Sequence, residues 1–417
     1  MKRNPERLAW IVLLTSFFIC VSLTVAVPLG VRSYILNARI RQKITLEVQQ
    51  PPLSVTLAGR GEPVAIAEDR DDIPERTVVD TDATSGRLVM HAPHTDDPVI
   101  VATVQLHHNT EVVLSSARSP RFPTSRLPHK VMLEVRAGRV RISVPSHEGR
   151  PTVVEVHTPH GAATLTEGSY EVKVNGTTTE VTVRDGQADV SSSELPTQLG
   201  PAERAIMDDE ELRGPLPAAP SLIVNSDFAD PLGKEGWVSY SVEPEVEGEP
   251  RGEAQRTEVE GQPVVVIERR GIGHAETGIT QILDADIRDF SLLQLHLLLR
   301  IKEHDVPVCG SQGTECPVMV RIVYKDADGA DREWLQGFYS LLDTRTPGNE
   351  PFCKICPIPY KHIHVPEDTW YPYDSDNLVP LLSRDGQAPI LIKSITVYAS
   401  GHTYRSAIAE VELIGQE

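Results

Sequence analysis

The sequence predicts an all-β protein that begins with one membrane-spanning helix, and three observations indicate this fold class. From about Leu53 onward apolar and polar residues alternate with a period of two, which is the pattern of half-buried strands. The 33 proline residues exceed the 28 glycine residues, a balance that favours short extended segments over long helices. Residues 8–31 contain no charged side chain, and a helix of that length crosses the hydrocarbon layer of a bilayer.

The chain is acidic and long enough for two or three domains. Its 417 residues include 40 Lys and Arg and 59 Asp and Glu, which gives a net charge of −19. Such a chain has no surplus basic face for phosphates, which argues against nucleic-acid binding. The 40% hydrophobic content is sufficient to bury domain cores, which argues against wholesale disorder.

The apolar segment 8–31 is predicted to be an uncleaved transmembrane anchor. It is longer than the core of a signal peptide, although the small residues Thr24-Val25-Ala26 leave cleavage as the alternative. Basic residues flank both ends, so the positive-inside rule does not decide the orientation. We expect residues 1–7 to be cytoplasmic, residues 32–50 to form a juxtamembrane stalk and the bulk to be extracytoplasmic, because the remainder is typical of an exported β-protein. The protein is then a single-pass cell-membrane protein.

The clearest strand pattern runs from Met132 to Val190. Turns are predicted at Ala137-Gly138, Asn175-Gly176 and Asp185-Gly186, each between alternating apolar positions, which indicates an antiparallel meander. Ordered motifs extend the pattern over residues 78–206. They are TDATSGRL from Thr81, VQL from Val104, TEVVL from Thr110, VRAGRV from Val135, VHTPHGAA from Val156, EGSYEV from Glu167, VRDGQA from Val183 and LGPAE from Leu199.

This ordered set resembles the FecR domain family, extracytoplasmic β-rich domains first known from iron-transport signalling. The shared motifs are structural rather than catalytic. Members of the family that regulate a sigma factor have a sizeable cytoplasmic domain before the span, whereas only residues 1–7 precede it here. The resemblance therefore implies an outward-facing FecR-like module over residues 51–207, without direct control of a sigma factor.

A second β-domain is expected over residues 222–417. Residues 208–221 are acidic, rich in proline and without periodicity, so they are predicted to be a linker. After it, Asn225-Ser226-Asp227-Phe228 and Trp237 resemble the opening of galactose-binding-like jelly rolls. The resemblance implies a C-terminal β-sandwich.

Four cysteines, Cys309, Cys316, Cys353 and Cys356, lie outside the span, and Cys20 lies within it. An even number in an exported domain predicts two disulfides. We expect cross-links between the two cysteine segments, because a bridge within the Cys353 to Cys356 motif closes a very short ring. The alternatives are a four-thiolate zinc site and, less favoured, a thioredoxin-like redox pair, for which the Gly-Pro pair between the thiols is missing.

Aromatic residues supply the candidate ligand platform. Trp334, Trp370, Tyr371 and Tyr373 are proposed to stack on a sugar, and packing in the core or at its rim is the alternative. The segment from Tyr371 to Asp374 is loop-like and is the first candidate to test.

Two further segments suggest metal binding and have simpler explanations. The segment from Asp326 to Asp331 is similar to a calcium loop but lacks the glutamate at the twelfth position, so a solvated hairpin turn is predicted. His362 and His364 alternate on one strand near Cys356, but an exposed edge with two imidazoles requires no metal.

No catalytic motif occurs in the sequence. A nucleophile elbow, a phosphate loop, a His-Glu-x-x-His helix and a dinucleotide fingerprint are all missing. We therefore predict a non-enzymatic protein without catalytic residues, metal or cofactor. Its expected role is surface interaction or sensing, with a carbohydrate or envelope polymer as the ligand. The alternatives are a structural subunit of an envelope protein complex and a transmembrane signal transducer.

Overall fold

The computed structural model describes residues 5–93, 99–146, 150–192, 196–233, 236–342, 361–383 and 388–416. These residues form two helices and twenty-six strands, so the all-β prediction is confirmed. The helices are α1 (Pro5–Asn37) and α2 (Leu378–Leu382). The strands are β1 (Arg39–Arg41), β2 (Lys43–Gln50), β3 (Leu53–Thr56), β4 (Val64–Ile66), β5 (Thr77–Asp80), β6 (Ser85–His91), β7 (Ile100–Leu106), β8 (Glu111–Pro120), β9 (His129–Val144), β10 (Thr152–Thr158), β11 (Gly161–Val174), β12 (Thr179–Ser191), β13 (Thr197–Leu199), β14 (Glu203–Met207), β15 (Leu212–Pro217), β16 (Val238–Ser241), β17 (Glu253–Val259), β18 (Gln262–Arg269), β19 (Ala275–Asp286), β20 (Leu292–His304), β21 (Val318–Asp326), β22 (Asp331–Tyr339), β23 (Ile363–His364), β24 (Tyr371–Asp374), β25 (Pro389–Gly401) and β26 (Tyr404–Gln416).

Helix α1 is the apolar segment predicted from the sequence. Residues Ala9–Asn37 are long and apolar enough to cross a membrane, and their most apolar stretch is not buried against the rest of the protein. The helix continues through Pro28 and past Val31 to Asn37.

Residues 32–50 do not form the stalk that the sequence predicts. Helix α1 takes the first part of this segment, β1 pairs with β8, and β2 pairs with β6. The physical reason is that the period of two already begins at Ile44 and continues through Leu46 and Val48, which are buried in the core. Burying these side chains requires β2 to lie inside the sheet.

Strands β1–β15 form the N-terminal sheet, a fifteen-stranded assembly within the described residues. Its main path runs β15-β14-β12-β11-β10-β9-β8-β5-β3-β4, and its described pairs are antiparallel except β9 with β10. Alternate residues such as Leu133, Val135, Val172 and Val181 are fully buried in one core. This alternation places the intervening side chains on the opposite face.

Only one of the three turns predicted in this region reverses the chain. At Asn175-Gly176 the amide of Asn175 donates to the carbonyl of Thr178 (2.8 Å), and β12 returns along β11. Gly138 and Gly186 instead bend β9 and β12 without ending them. Their φ angles of 89° and 84° favour glycine and suit local irregularities inside strands.

The bend in β9 gives this strand two sets of neighbours. Its first half pairs with β8 and β10, and its second half pairs with β7 and β11. A single strand therefore connects the two halves of the N-terminal sheet.

Strands β16–β26 form the C-terminal sandwich, which confirms the predicted β-sandwich. One sheet has the order β16-β19-β25-β21-β22-β23 and the other has the order β17-β18-β26-β20-β24. Phe228 and Trp237, expected near the start of a jelly roll, are fully buried with ring centroids 5.9 Å apart.

The segment expected to be a linker is ordered by both neighbours. Residues 212–217 form β15 and pair with β14, and the carbonyl of Ala219 accepts from Arg184 (2.8 Å). The amide of Leu222 donates to the carbonyl of Leu413 (2.8 Å) in the sandwich. Proline and acidic residues do not prevent this pairing because β15 lies at an edge of the sheet.

Candidate functional site between the sheet and the sandwich

One face of the N-terminal sheet is charged where β9, β11, β12 and β14 lie side by side. Lys173 is paired in register with Arg139 on one side and with Glu180 on the other. Glu171 and Arg204 are both paired with Thr182. Paired residues share a face of a sheet, so these side chains form a continuous polar surface opposite the valine-rich core.

The C-terminal sandwich packs on this charged face through β20 and β26. Arg141 lies 2.6 Å from Glu410 and 2.8 Å from Glu412, and the side chains of all three are at least 92% buried. The hydroxyl of Ser169 also donates to Glu410 (3.3 Å). A buried guanidinium between two carboxylates therefore joins the two parts of the chain.

The buried charges continue through β24. Asp374 contacts Nδ1 of His296 (2.8 Å) within the sandwich, and Nδ1 of His107 (3.3 Å) and a terminal nitrogen of Arg139 (3.7 Å) across the interface. His296 also contacts Glu410 through Nε2 (3.5 Å). One connected network therefore extends from Arg141 to His107.

The pKa values show which members of this network are charged. Burial by itself raises the pKa of Glu410, but the charges of Arg141 and His296 hold it at about 2. Burial also opposes ionisation of Asp374, yet His296 and Arg139 hold the pKa of Asp374 well below its usual range. Burial lowers the pKa of His107 to about 4. Near pH 7 both carboxylates are ionised and His107 is neutral.

Trp370 forms a second contact between the sheet and the sandwich. Its ring lies near the guanidinium carbons of Arg87 (5.9 Å) and Arg300 (5.8 Å), within the distance of a cation–π contact. Its carbonyl accepts from the side chain of Gln49 (3.0 Å). Trp370 is 2% exposed, so its ring faces protein groups at the interface.

Two clefts flank the charged network, and Arg139 and Gln294 line both of them. We call the first the tyrosine cleft; it has a volume of about 460 Å³. The tyrosine cleft is lined by Ala83, Thr84, Ser85, Gln105, His107, His108, Arg139, Gln294, Ile363, Tyr371, Pro372, Tyr373, Asp374, Ser375 and Asp376. We call the second the arginine cleft; it has a volume of about 620 Å³. The arginine cleft is lined by Arg139, Glu171, Lys173, Glu180, Thr182, Arg184, Arg204, Pro217, Ala218, Ala219, Pro220, Phe290, Leu292, Gln294, Ile414, Gly415 and Gln416.

The four aromatic residues of the candidate platform do not come together on one surface. Trp334 is 1% exposed in the core of the sandwich, and Trp370 lies at the interface. Tyr371 and Tyr373 do line the tyrosine cleft. The Tyr373 ring packs edge-on against Phe338, with centroids 5.0 Å apart. The strand β24 alone therefore brings predicted aromatic residues to a cleft.

A disulfide joins Cys309 to Cys316, with Cα atoms 4.3 Å apart. The expectation of bridges between the two cysteine segments is wrong for this pair. The chain turns tightly after Pro307 and returns to β21, which places Cys309 and Cys316 next to each other. Cys353 and Cys356 lie outside the described residues.

The metal-ligating patterns have structural explanations in the described residues. His362 lies within 4.8 Å of both bridged sulfur atoms, but its Nδ1 accepts from the amide of Gly337 (3.0 Å) and its Nε2 donates to the carbonyl of Gly313 (2.6 Å). Asp326 accepts from the backbone amide of Ala330 (2.9 Å) in the predicted hairpin turn between β21 and β22.

The antiparallel core of the N-terminal sheet coincides with a known family. Residues 101–189 match the FecR protein family. These residues are similar to a FecR domain, and below we use the name FecR domain for the N-terminal sheet that contains them. The FecR match covers β7–β12 and includes Arg139, Arg141 and Glu171 of the charged face. It lies inside the range 78–206 predicted from the ordered motifs.

Several solved structures show limited similarity to this chain. A protein from Parabacteroides distasonis described as an anti-sigma factor is 22% identical over 33% of this chain, with a TM-score of 0.24, and this chain spans 57% of its length. A family 11 carbohydrate-binding module of a cellulase from Clostridium thermocellum is 13% identical over 46% of this chain and 92% of its own, with a TM-score of 0.27. A family 61 module solved with β-1,4-galactotriose is 9% identical over 47% of this chain and 99% of its own, with a TM-score of 0.25. A search of curated proteins gives no match.

Sequence reasoning missed the residues that join the FecR domain to the sandwich. Arg141 and Glu410 are 269 positions apart, so no local motif contains both. A signal is nevertheless present, because Arg139 and Arg141 alternate with core residues on one strand while Glu410 and Glu412 alternate with core residues on another. Opposite charges on the outer faces of two well-buried strands indicate surfaces that complement each other.

Proposed function

We propose that this protein is a membrane-anchored, extracytoplasmic and non-enzymatic binding protein that recognises a carbohydrate or an envelope polymer. The single observation that carries the proposal is the composition of the tyrosine cleft. The sandwich contributes Tyr371 and Tyr373 to it, and the FecR domain side contributes Gln105 and His107. Aromatic faces with a few convergent polar groups suit saccharide recognition.

The walls of the cleft are held in place before a ligand arrives. Asp374 lies in the same strand as the two tyrosines and contacts His296 on the neighbouring strand β20 and His107 on the FecR domain. Because these contacts fix β24 relative to the FecR domain, little conformational entropy is lost when a ligand binds. The geometry supports recognition by a preformed cleft.

Binding is tested with the full-length protein in detergent micelles on a glycan array. Tyr371→Ala should reduce the signal for the bound saccharides at least tenfold, because it removes the half-buried ring at the cleft. Tyr34→Ala is the matched control, since Tyr34 is 54% exposed near the end of α1 and does not line the tyrosine cleft. Equal signals for the two variants and the unaltered chain would reject the cleft as the binding site.

The anchor and its orientation are part of the same proposal. An exposed apolar helix supports a membrane span, and the bridge between Cys309 and Cys316 supports an oxidising compartment. We expect the protein to stay in the membrane fraction after high-salt and alkaline washing, with its bulk accessible to external protease. Release of a soluble form that starts near Val27 would show that α1 is a cleaved signal peptide.

A signal transducer is the second candidate function, and the contacts between the end of α1 and the N-terminal sheet favour it. The carbonyl of Leu36 accepts from the hydroxyl of Ser125 (2.7 Å), and Arg121 donates to the hydroxyl of Tyr34 (3.0 Å). These contacts connect the helix end directly to the loop after β8. Under this alternative, ligand binding changes hydrogen exchange of residues 119–127, and unchanged exchange argues for binding alone.

A further inference from the structure

We infer that the arginine cleft binds an acidic saccharide, a sugar ring that carries a carboxylate or sulfate group. The inference rests on the proposed function for the choice of a saccharide, and it assigns a second site that differs from the tyrosine cleft. Four observations carry it, namely the charge of the floor, the donors that the floor exposes, the apolar opposite wall and the volume.

The floor of the cleft is cationic in a strongly acidic protein. Its basic side chains come from adjacent strands of the charged face, and two glutamates accompany them, which leaves an excess of two positive charges where the whole chain carries −19. The basic side chains are Arg139, Lys173, Arg184 and Arg204, and the acidic ones are Glu171 and Glu180. A concave site lined by one sign of charge concentrates ligands of the opposite sign.

The two glutamates do not use all of the available donors. Glu171 contacts Arg139 at 2.8 Å and Arg184 at 3.7 Å, and Glu180 contacts Arg204 at 3.1 Å, in each case through a terminal guanidinium nitrogen. Among the described residues, the Nε atoms of these three arginines are buried without a hydrogen-bond partner. Because these Nε atoms are not accessible from the cleft, an oxyanion, the acceptor that suits a guanidinium best, is expected to contact the exposed part of the floor, namely Lys173 and the 35% exposed side chain of Arg204.

The opposite wall is apolar and belongs to the sandwich. Phe290, Leu292 and Ile414 lie across from the floor, with the amide of Gln294 beside them. A sugar ring has an apolar face and a polar rim, so this wall suits the ring while the floor suits the acidic group. The volume of about 620 Å³ falls within the range of small-molecule sites.

Lys173 and Arg204 are the residues to change in a test. Neither contacts the sandwich through the buried network, and their side chains are exposed or half-buried, so the variants Lys173→Gln and Arg204→Gln keep the interface intact. Arg213→Gln is the matched control, because Arg213 lies on β15, does not line the cleft and pairs with Asp208. Circular dichroism establishes that all three variants are folded.

The experiment is isothermal titration of the full-length protein in detergent with four probes: trigalacturonic acid, a chondroitin sulfate disaccharide, neutral galactotriose and inorganic sulfate. We expect one of the two acidic saccharides to bind. Which of them binds shows whether the cleft recognises a carboxylate or a sulfate group. Arg204→Gln should raise the Kd of the acidic saccharide about ten- to hundredfold, the range for loss of one charge-assisted hydrogen bond. Lys173→Gln should raise this Kd by a smaller factor, and Arg213→Gln should leave it unchanged. Added salt should also raise the Kd, because it screens the charges.

Several results would overturn the inference. They are equal affinity of the unaltered chain and Arg204→Gln for the acidic saccharide, equal affinity for galactotriose and the acidic saccharides, and binding of inorganic sulfate as tight as that of the sulfated sugar. Saccharide binding that Tyr371→Ala abolishes and Arg204→Gln does not affect would retain the proposed function and remove this site. Failure of every saccharide to bind would remove both.

Discussion

Replacing Arg141 by methionine removes the guanidinium that lies between Glu410 and Glu412 at the interface. Methionine keeps much of the volume of the side chain, so the principal change is the loss of charge. Both carboxylates then remain buried without that partner at 2.6 and 2.8 Å. Removing one member of a buried ion pair costs about 3–5 kcal/mol, which is a large part of the 5–15 kcal/mol that typically stabilises a folded domain.

The free energy of unfolding is measured by urea denaturation of the full-length protein in detergent, followed by tryptophan fluorescence. Trp370 lies at the same interface, so its emission reports whether the FecR domain and the sandwich separate. We expect Arg141→Met to lower the stability of the interface by about 3–5 kcal/mol and to separate the two parts before either core unfolds.

A compensating variant and a control test whether the unpaired carboxylates cause the loss of stability. In the triple variant with Glu410→Gln and Glu412→Gln, the buried charges are removed together, and most of the lost stability should return because no carboxylate is left unpaired. Arg213→Met breaks a pair that is half exposed and should change little. If Arg141→Met is no more destabilising than Arg213→Met, the network does not hold the two parts together.

Three further predictions follow from the same interface and from the disulfide. The free energy of unfolding should fall as the pH drops from about 6.5 to about 4, because His107 binds a proton in the unfolded chain but not in the folded protein. It should fall again from about pH 4.5 to about 2, where Glu410 is protonated in the unfolded chain before it is in the folded one. Burial also lowers the pKa of His91, His304 and His362, so His107→Gln should reduce the first loss without removing it and should leave the second unchanged. A first loss as large as that of the unaltered chain, measured by denaturation at each pH, would contradict the assignment. Trp370→Ala should lower the free energy of unfolding by roughly 3–5 kcal/mol in the same denaturation experiment. A change near zero would instead indicate that the Trp370 ring is exposed. Peptide mapping without reductant should find Cys309 linked to Cys316, and replacing both by serine should cost about 2–3 kcal/mol; two free thiols at these positions would disprove the bridge.

The parts of the fold that depend on local pattern could be predicted from the sequence. The period of two around Leu133 and Val172 predicts strands because one face is buried, and Asn175-Gly176 predicts a hairpin because its residues tolerate positive φ. The same reasoning failed at Gly138 and Gly186. A glycine with positive φ either reverses a chain or bends a strand, and the partners that decide between these outcomes lie elsewhere in the sequence.

The candidate site was harder to predict than the fold, because its residues come from distant parts of the sequence. Trp370 has the composition of a ligand-stacking residue, but Arg87 and Arg300, which lie on either side of the interface, cover it. Nothing near Trp370 in the sequence indicates that two guanidinium groups will reach it. The segment around Tyr371 is rich in turn residues and was expected to be loop-like, but it forms β24. The role of Tyr371 in a ligand platform stays a prediction, because the opposite wall of the cleft comes from a domain that the sequence could not position.

The junction between α1 and β1 is short, which limits how far the rest of the protein can move from the helix. Ala38 alone separates the last helical residue, Asn37, from the first strand, Arg39–Arg41. A flexible tether of n residues lets a domain sample distances of about 5–6 Å × √n, and this chain has no such tether. With α1 in a bilayer, the protein stays within about its own diameter of the membrane surface. A binding site in either cleft, as proposed above, then reaches only polymers that extend to within that distance.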